Sequence, residues 1–305
     1  MAAPDDGTIA AYNHCTDEWI RAYNQGPFTS FKMVEVILGV LKLEARDILR
    51  DPTQLSVFQG RRVNEEKLWT TYLDTWAKST GRCTSFAIRV AEELRTQYPD
   101  DGFHFEFFNL GRHRVARCRR YGFVIDSESP KGIDILRDHQ DWISTPDQER
   151  GRWRFYENHS VFEARTNPRD RYDVHPIPAA AALGICLEEV ANHGVLVCVF
   201  RQSFVSTEDQ TPQVEYHGSI RWRLSKRRME LAPHLKYPDR IATITFGDGN
   251  KETNRECVAN LRAFILDCGF DYQWKADAID IFNRQLWKAA VLEWGYPVWK
   301  AYAHP

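Results

Sequence analysis

Three residues of the chain have the types and the order that nucleophilic catalysis by a thiol needs: Cys83, His113 and Asp126. A thiol is a strong nucleophile at neutral pH when a helix N-terminus or an imidazole stabilises its thiolate. The pattern of residues 81–97 predicts a helix, and Cys83 falls in its first turn, where backbone N–H groups have no helical acceptor. We therefore predict that Cys83 is the nucleophile.

The base and its orienting group are predicted on a β-hairpin that follows this helix. Residues 113–118 and 122–127 have the composition of strands, and a turn near residues 119–120 places positions 113 and 126 almost opposite each other. Such a pair holds its Cβ atoms roughly 5 Å apart, within reach of a hydrogen bond. His113 is then the general base, and Asp126 fixes its tautomer and stabilises its charged form.

The other six cysteines are weaker candidates for the nucleophile. Cys15 follows His14 and precedes a helix that Thr16, Asp17 and Glu18 are predicted to start, so it is the strongest alternative. The remaining thiols lie where no helix N-terminus supports a thiolate: in an apolar run, within predicted helices, at a helix C-terminus or in a strand (Cys198, Cys186, Cys257, Cys268 and Cys118).

The elements that must position these residues follow in the order helices, strands and then mixed elements. This order predicts an α+β fold rather than a doubly wound sheet. We divide the chain into a helical N-terminal segment (1–78), a catalytic core (79–205) and a C-terminal α/β segment packed on the core (206–305). The polar residues 203–213 are predicted to form a mobile loop.

Residues 79–130 resemble the transglutaminase-like superfamily, the papain-like group with Cys, His and Asp in this chain order, which includes the arylamine N-acetyltransferases. The resemblance rests on Gly-Arg-Cys-Thr-Ser-Phe-Ala at 81–87, on His113 and on Asp126. It implies a catalytic helix packed on an antiparallel sheet and a thioester at Cys83. It also implies transfer of the acyl group from a small-molecule or peptide donor to an amine or to water.

Composition and motifs narrow the remaining possibilities. The net charge is −2, and the chain contains no apolar stretch of bilayer-spanning length, so we expect no membrane partner. The odd number of cysteines without a Cys-x-x-Cys motif indicates thiols in a reducing compartment, and we expect a cytoplasmic protein. Nucleotide-binding glycine motifs are absent and the histidines are scattered, so we expect no metal and no cofactor.

Two other functions remain open for the same residues. Arg82, Arg112 and Arg114 flank the thiol and the base and are candidates for substrate binding. The five arginines of residues 112–120 also permit an RNA-binding hairpin, and a second basic cluster supports that possibility (Arg221, Arg223, Lys226, Arg227 and Arg228). A catalytically inactive interaction module on the same fold is the other alternative.

Overall fold

The chain forms helices and antiparallel sheets, so the α+β class predicted from the sequence is confirmed. In this computed structural model the described residues are 6–24, 26, 28–60, 82–110, 113–126, 133–135, 141–143, 150–155, 160–164, 171–208, 210–233, 240–247, 249, 251–267 and 273–303. Among the described helices, none is long and apolar enough to cross a bilayer.

The elements have the following bounds. The helices are α1 (Asp6–Asn24), α2 (Phe31–Leu41), α3 (Ala45–Arg50), α4 (Cys83–Gln97), α5 (Ala179–His193), α6 (Lys251–Asp267) and α7 (Gln273–Trp294). The strands are β1 (Phe28–Thr29), β2 (Phe105–Leu110), β3 (His113–Cys118), β4 (Phe123–Ile125), β5 (Ile133–Ile135), β6 (Asp141–Ile143), β7 (Arg150–Phe155), β8 (Ser160–Ala164), β9 (Arg171–Val174), β10 (Val195–Val205), β11 (Pro212–Arg223), β12 (Arg228–Pro233), β13 (Arg240–Phe246) and β14 (Pro297–Ala303).

The strands form one six-stranded sheet and two four-stranded sheets. The large sheet has the order β1-β10-β11-β12-β13-β14, and the smaller ones are the meanders β2-β3-β4-β5 and β6-β7-β8-β9. The chain divides into two compact units. Unit 1 contains Met1–Asn24, Arg82–Leu183 and Ser203–Val214, and unit 2 contains Gln25–Gly81, Gly184–Gln202 and Glu215–Pro305. Unit 1 thus draws segments from each of the ranges 1–78, 79–205 and 206–305.

In unit 1, helices α1 and α4 pack together, and α4 packs against strands β2 and β3. Tyr23 near the end of α1 contacts Phe86 near the start of α4, with ring centroids 5.1 Å apart. At the other end His14 stacks on Tyr98, the C-cap residue of α4, with centroids 3.9 Å apart. The two helices therefore run antiparallel, an arrangement in which their dipoles attract.

The predicted start of the first helix is wrong. Residues 16–18 do not begin it, because α1 extends from Asp6 to Asn24 and contains them in its interior. Cys15 therefore does not precede a helix. The buried residues of α1 include Ala11, Cys15, Trp19 and Ala22, which follow helical spacing over its whole length. The acidic pair Asp17-Glu18 resembled a helix start, but the spacing of the apolar residues indicates the extent of the helix more accurately.

Residues 203–213 are not wholly the loop that the sequence predicted. Strand β10 continues to Val205 and β11 resumes at Pro212, so the turn is confined to residues 206–211. The Ser206 N–H donates to the Thr211 carbonyl at 2.8 Å, and Gln210 adopts a φ of 54°. Phe204 and Val205 favour a strand strongly enough to extend β10 into a polar stretch.

The core of unit 2 packs aromatic residues of the large sheet against α7. Phe246 contacts Trp287 and Trp294 edge-on, with centroids 5.3 Å and 5.6 Å away. Trp294 also donates from its indole N–H to the Leu49 carbonyl at 2.8 Å. Glu293, the neighbour of Trp294, accepts hydrogen bonds from both Arg46 and Arg50 of α3. These contacts attach α3 to the end of α7.

The Trp222–Asn283 hydrogen bond is a buried polar contact of this core that can be tested. The Trp222 indole N–H donates to Asn283 Oδ1 at 2.8 Å, and both side chains are buried. We expect Asn283→Leu to lower the free energy of unfolding by about 1–3 kcal/mol, because it leaves the indole N–H without an acceptor. Urea denaturation followed by circular dichroism measures the change.

The control is the double variant Trp222→Phe/Asn283→Leu, which removes both polar groups. Its loss of stability should be smaller than the sum of the two single losses, because no unsatisfied group remains. Additive losses would show that the hydrogen bond does not couple the two side chains.

Candidate active site

Cys83 is the first residue of α4, as the sequence predicted for a residue in the first turn. Arg82 is the N-cap residue, with extended backbone angles (φ −106°, ψ −175°). Its carbonyl accepts the first helical hydrogen bond from the Phe86 N–H at 3.0 Å. The N–H groups of residues 83–85 therefore have no acceptor within the helix, and their partial positive charge favours an anion at this end. The Cys83 side chain is 2% exposed.

The first turn of α4 is polar as well as buried. Thr84 and Ser85 follow Cys83 and are 1% and 4% exposed. Ser85 donates from its hydroxyl to the Arg82 carbonyl at 2.8 Å, so the helix itself satisfies this group. The Thr84 hydroxyl makes no hydrogen bond within the part of the chain that the structure describes. Buried polar groups are usually hydrogen-bonded, so the Thr84 hydroxyl is an exception that calls for an explanation.

The contacts at the C-terminal end of α4 determine which end of the sheet Cys83 approaches. Tyr98 lies 6.5 Å from Phe103, whose ring lies 5.7 Å from that of Tyr121 in the β3–β4 turn. The Tyr121 hydroxyl donates to the Asp101 carbonyl at 2.6 Å. The C-terminal end of α4 therefore lies near the end of β3, where Cys118 is located.

From this end α4 runs back along β3. Its 15 residues span about 22 Å, and the six residues of β3 span about 20 Å. The first turn of α4 consequently lies toward the end of the sheet at which β3 begins, with His113, and β4 ends, just before Asp126. The topology brings the three predicted catalytic positions to one end of unit 1.

His113 begins β3 and Asp126 directly follows β4, and the two are diagonal neighbours rather than an opposed pair. Ala116 pairs with Ile125 and Arg117 with Val124, so this register sets Asp126 level with position 115. Diagonal neighbours have Cα atoms about 7–8 Å apart, which is within reach of long side chains. Asp126 is buried, with 2% of its surface exposed. The His113 side chain lies outside the described residues, so its contact with Cys83 stays a prediction.

The three arginines predicted to bind substrate have different environments. Arg82 is half-buried as the N-cap residue of α4, and Arg112 lies outside the described residues. Arg114 is 2% exposed. Because alternate residues of a strand share a face, Arg114 lies on the same face of β3 as Cys118. A fully buried arginine is unusual in a folded protein unless its guanidinium group is paired.

The same face of β3 and β4 is covered by α1. Tyr12 contacts Phe123 of β4 edge-on, with centroids 5.6 Å apart, and Cys15, one turn further along α1, lies beside Cys118. Burial raises the pKa of the Cys15 thiol well above its usual value, and the neighbouring Cys118 and Glu18 raise this pKa further. Cys15 is thus a poor source of thiolate, and the strongest alternative nucleophile loses its support.

The other described cysteines also differ from Cys83. Cys118, Cys186 and Cys198 are fully buried thiols on a strand or within a helix. Burial raises the pKa of Cys257, within α6, to about 11. Cys268 lies outside the described residues. Of the described thiols, Cys83 is the one in the first turn of a helix.

Glu18 of α1 is a buried charge that the sequence did not reveal, since its neighbours suggested a helix start. Its side chain is 3% exposed, it pairs with Arg21, and it lies near Arg89 and Glu93 of α4. Burial raises the pKa of Glu18, and the hydrogen bond from Arg21 partly opposes this increase. The spacing of Cys15, Glu18 and Ala22 on one helical face was the signal that could have identified it.

The raised pKa of Glu18 predicts how stability depends on pH. The folded state holds the Glu18 proton more tightly than the unfolded state, so the carboxyl group favours folding at low pH, and this contribution is lost as pH rises through its folded pKa. We expect the stability of wild type relative to Glu18→Gln to fall as the pH rises above about 4, the ordinary pKa of a glutamate carboxyl group. Urea denaturation at several pH values measures this difference.

Asp17→Asn is the matched control, because the neighbouring Asp17 is exposed on the same helix. The stability of wild type relative to Asp17→Asn should not show this fall. If the stability of wild type relative to Glu18→Gln increases with pH, the assignment of a raised pKa to Glu18 is contradicted.

Cys83, His113 and Asp126 thus occupy one end of a helix-on-sheet unit, with a buried helix N-terminus at the thiol. No group of three or more histidine, cysteine, aspartate or glutamate residues is arranged to hold a metal ion within the described ranges. A helix N-terminus favours the thiolate form of a cysteine, which is the form that acts as a nucleophile. Comparison with known proteins finds no matching family model and no matching curated protein.

Proposed function

We propose that this chain is a thiol-dependent acyl-transfer enzyme in which Cys83 is the nucleophile, His113 the base and Asp126 the group that orients the base. The observation that carries the proposal is the position of Cys83: it begins α4, and α4 packs along β3 toward the end where β3 starts and β4 finishes. The reaction class follows from the reactivity of a thiolate at a helix N-terminus, which is a nucleophile that forms covalent acyl intermediates.

The proposed reaction has two halves. His113 takes the proton of the Cys83 thiol, and the sulfur attacks the carbonyl carbon of an acyl donor. The oxyanion that forms is stabilised by the Cys83 backbone N–H at the helix N-terminus. The leaving group takes the proton back from His113, and a thioester remains. An amine or water then attacks the thioester and gives its proton to His113. The bond between the carbonyl carbon and the sulfur breaks, and His113 returns the proton to the departing sulfur.

The fold that we propose for unit 1 is the transglutaminase-like one. Helix α4 begins with Cys83 and packs on an antiparallel sheet. The proposed base His113 and the proposed orienting group Asp126 follow later in the chain, which gives the order Cys, His, Asp. The resemblance of residues 79–130 to that superfamily supports the same assignment. The proposed substrates are therefore a small-molecule or peptide acyl donor and an amine acceptor, or water.

The described arginines of residues 112–120 do not favour the alternative of an RNA-binding hairpin. Arg114 is buried, Arg119 pairs with Glu106 at 2.8 Å, and Arg120 donates to the Asp101 carbonyl at 3.1 Å. In the second cluster, Glu230 pairs with both Arg223 and Arg228 at 2.7 Å. These charges contact the protein itself, which leaves fewer of them for phosphates.

Acylation of Cys83 tests the proposal against an inactive interaction module. We expect intact-mass analysis after incubation with N-benzoylglycyl p-nitrophenyl ester to show one acyl adduct on wild type. Cys83→Ser should slow adduct formation by at least about 1000-fold, because the nucleophile is lost. An adduct that forms equally fast in Cys83→Ser would exclude Cys83 as the nucleophile.

Cys118→Ser is the matched control for this experiment. Cys118 is a buried thiol of the same unit, but it lies at the end of a strand rather than at a helix N-terminus. The variant should form the adduct at the wild-type rate. Hydroxylamine should remove the adduct, as expected of a thioester.

The role of His113 is tested separately by alkylation with iodoacetamide at low dose. Cys83 should react before the other cysteines, and His113→Ala should slow its reaction by about 100-fold, because the thiol loses its base. Peptide mapping by mass spectrometry identifies the labelled residue. Uniform slow labelling of all cysteines, unchanged in His113→Ala, would favour the inactive module.

A further inference from the structure

The Thr84 hydroxyl is the polar group of the first turn of α4 that the described structure leaves unexplained. Thr84 is 1% exposed, and its Oγ1 atom makes no hydrogen bond in the described part of the chain. Native proteins satisfy most buried polar atoms, and one that is left over calls for an explanation, such as a functional role or a bound water or ion. Ser85, the next residue, follows the general rule, since its hydroxyl donates to the Arg82 carbonyl.

Helix geometry indicates where the Thr84 side chain is directed. Every Cα–Cβ bond of an α-helix is tilted toward the helix N-terminus. Thr84 is the second residue of α4, so its side chain leans toward the N-terminal end of the helix, the end at which Cys83 and its backbone N–H lie. A buried hydroxyl without a hydrogen bond in the described structure therefore lies in the same helical turn as the proposed nucleophile.

We propose that Thr84 is a specificity-determining residue, whose hydroxyl hydrogen-bonds to a polar group adjacent to the reacting carbonyl of the acyl donor. This inference rests on the proposed function of Cys83. It names the donor class: acyl groups that carry an amide on the α-carbon, as in peptides and N-acylamino acids, rather than simple alkanoyl groups.

The chemistry of a hydroxyl leads to this class. Backbone N–H groups at a helix N-terminus only donate hydrogen bonds, and they serve the oxyanion. A hydroxyl both donates and accepts, which matches the donor and acceptor atoms of an amide. A binding site that offers a buried hydroxyl discriminates against an analogue that cannot pair with it, because the hydroxyl is then left unsatisfied.

Two esters of similar length and different polarity test this assignment. N-benzoylglycyl p-nitrophenyl ester carries an amide beside the reacting carbonyl group, and 4-phenylbutanoyl p-nitrophenyl ester replaces the amide with methylene groups. Wild type should prefer the first ester. Thr84→Val has almost the same shape without the hydroxyl, and it should lower the ratio of the two kcat/KM values by about 10- to 100-fold.

The stability of Thr84→Val gives an independent readout. A buried hydroxyl without an internal partner destabilises the free protein, so its replacement by a methyl group should raise the melting temperature. Improved stability combined with lost selectivity is the signature of a polar group kept for function. A lower melting temperature would mean that the hydroxyl has a partner within the protein, and it would overturn the inference.

Two control variants complete the experiment. Thr84→Ser keeps the hydroxyl and should retain the preference for the amide ester. Thr16→Val removes another buried hydroxyl that makes no hydrogen bond in the described structure, but Thr16 lies two residues from His14, near the C-terminal end of α4. It should leave the ratio of the two kcat/KM values unchanged.

The outcomes separate this inference from the proposed function. If both esters acylate Cys83 and Thr84→Val leaves their ratio unchanged, the acyl-transfer function stands and the role of Thr84 is refuted. If neither ester forms an adduct on Cys83, the proposed function fails and takes the inference with it.

Discussion

The position of the candidate nucleophile depends on a contact at the far end of its helix. Asp101, just beyond α4, accepts a hydrogen bond from Tyr121 through its carbonyl and contacts His14 of α1 through its carboxylate at 2.9 Å. Tyr98 stacks between α1 and the following turn. A helix is stiff over this length, so fixing one end in the aromatic cluster fixes where the other end points. Cys83 is held in place by residues that take no part in its chemistry.

The antiparallel arrangement of α1 and α4 influences the electrostatics of that thiol. Tyr23, in the last turn of α1, contacts Phe86, so the negative end of the α1 dipole lies near the positive end of the α4 dipole. The attraction stabilises the packing, but it also offsets part of the positive potential at Cys83. A thiolate there therefore depends more on a nearby imidazole than it would at an isolated helix. This makes the partner of Cys83 as important as its helix.

How much could be predicted from the sequence depended on whether the signal was local. The bounds of β3 at residues 113–118 match the prediction, and α4 begins two residues after the predicted residue 81. The alternation of a strand and the apolar stripe of a helix depend on residues that are close in sequence, so both can be recognised without knowledge of the tertiary packing. The start of α1 was predicted wrongly. Two acidic residues resembled a helix start, whereas burial against α4 determines where the helix begins.

The register between β3 and β4 shows why site geometry was harder to predict than site residues. The sequence suggested a turn at 119–120, whereas the link runs over residues 119–122 and ends at Gly122, with a φ of 72°. Its N–H donates to the Cys118 carbonyl at 2.9 Å, which closes the longer turn. Two extra residues in a turn shift every pair beyond it, so an opposed His–Asp pair became a diagonal one. Turn length depends on backbone conformation, which composition alone did not reveal.

The way in which unit 1 is assembled from separate stretches of chain has a consequence for biosynthesis. Helix α1 is synthesised before its packing partner α4, which emerges from the ribosome only after residues 25–81 of the other unit. In a nascent chain the apolar face of the amphipathic helix α1 therefore stays exposed until α4 has been synthesised. Closing so long a loop is entropically unfavourable and slow. Apolar surface that is exposed during synthesis promotes aggregation, so the discontinuous order of the segments of unit 1 makes its early folding more vulnerable to aggregation than that of a continuous domain.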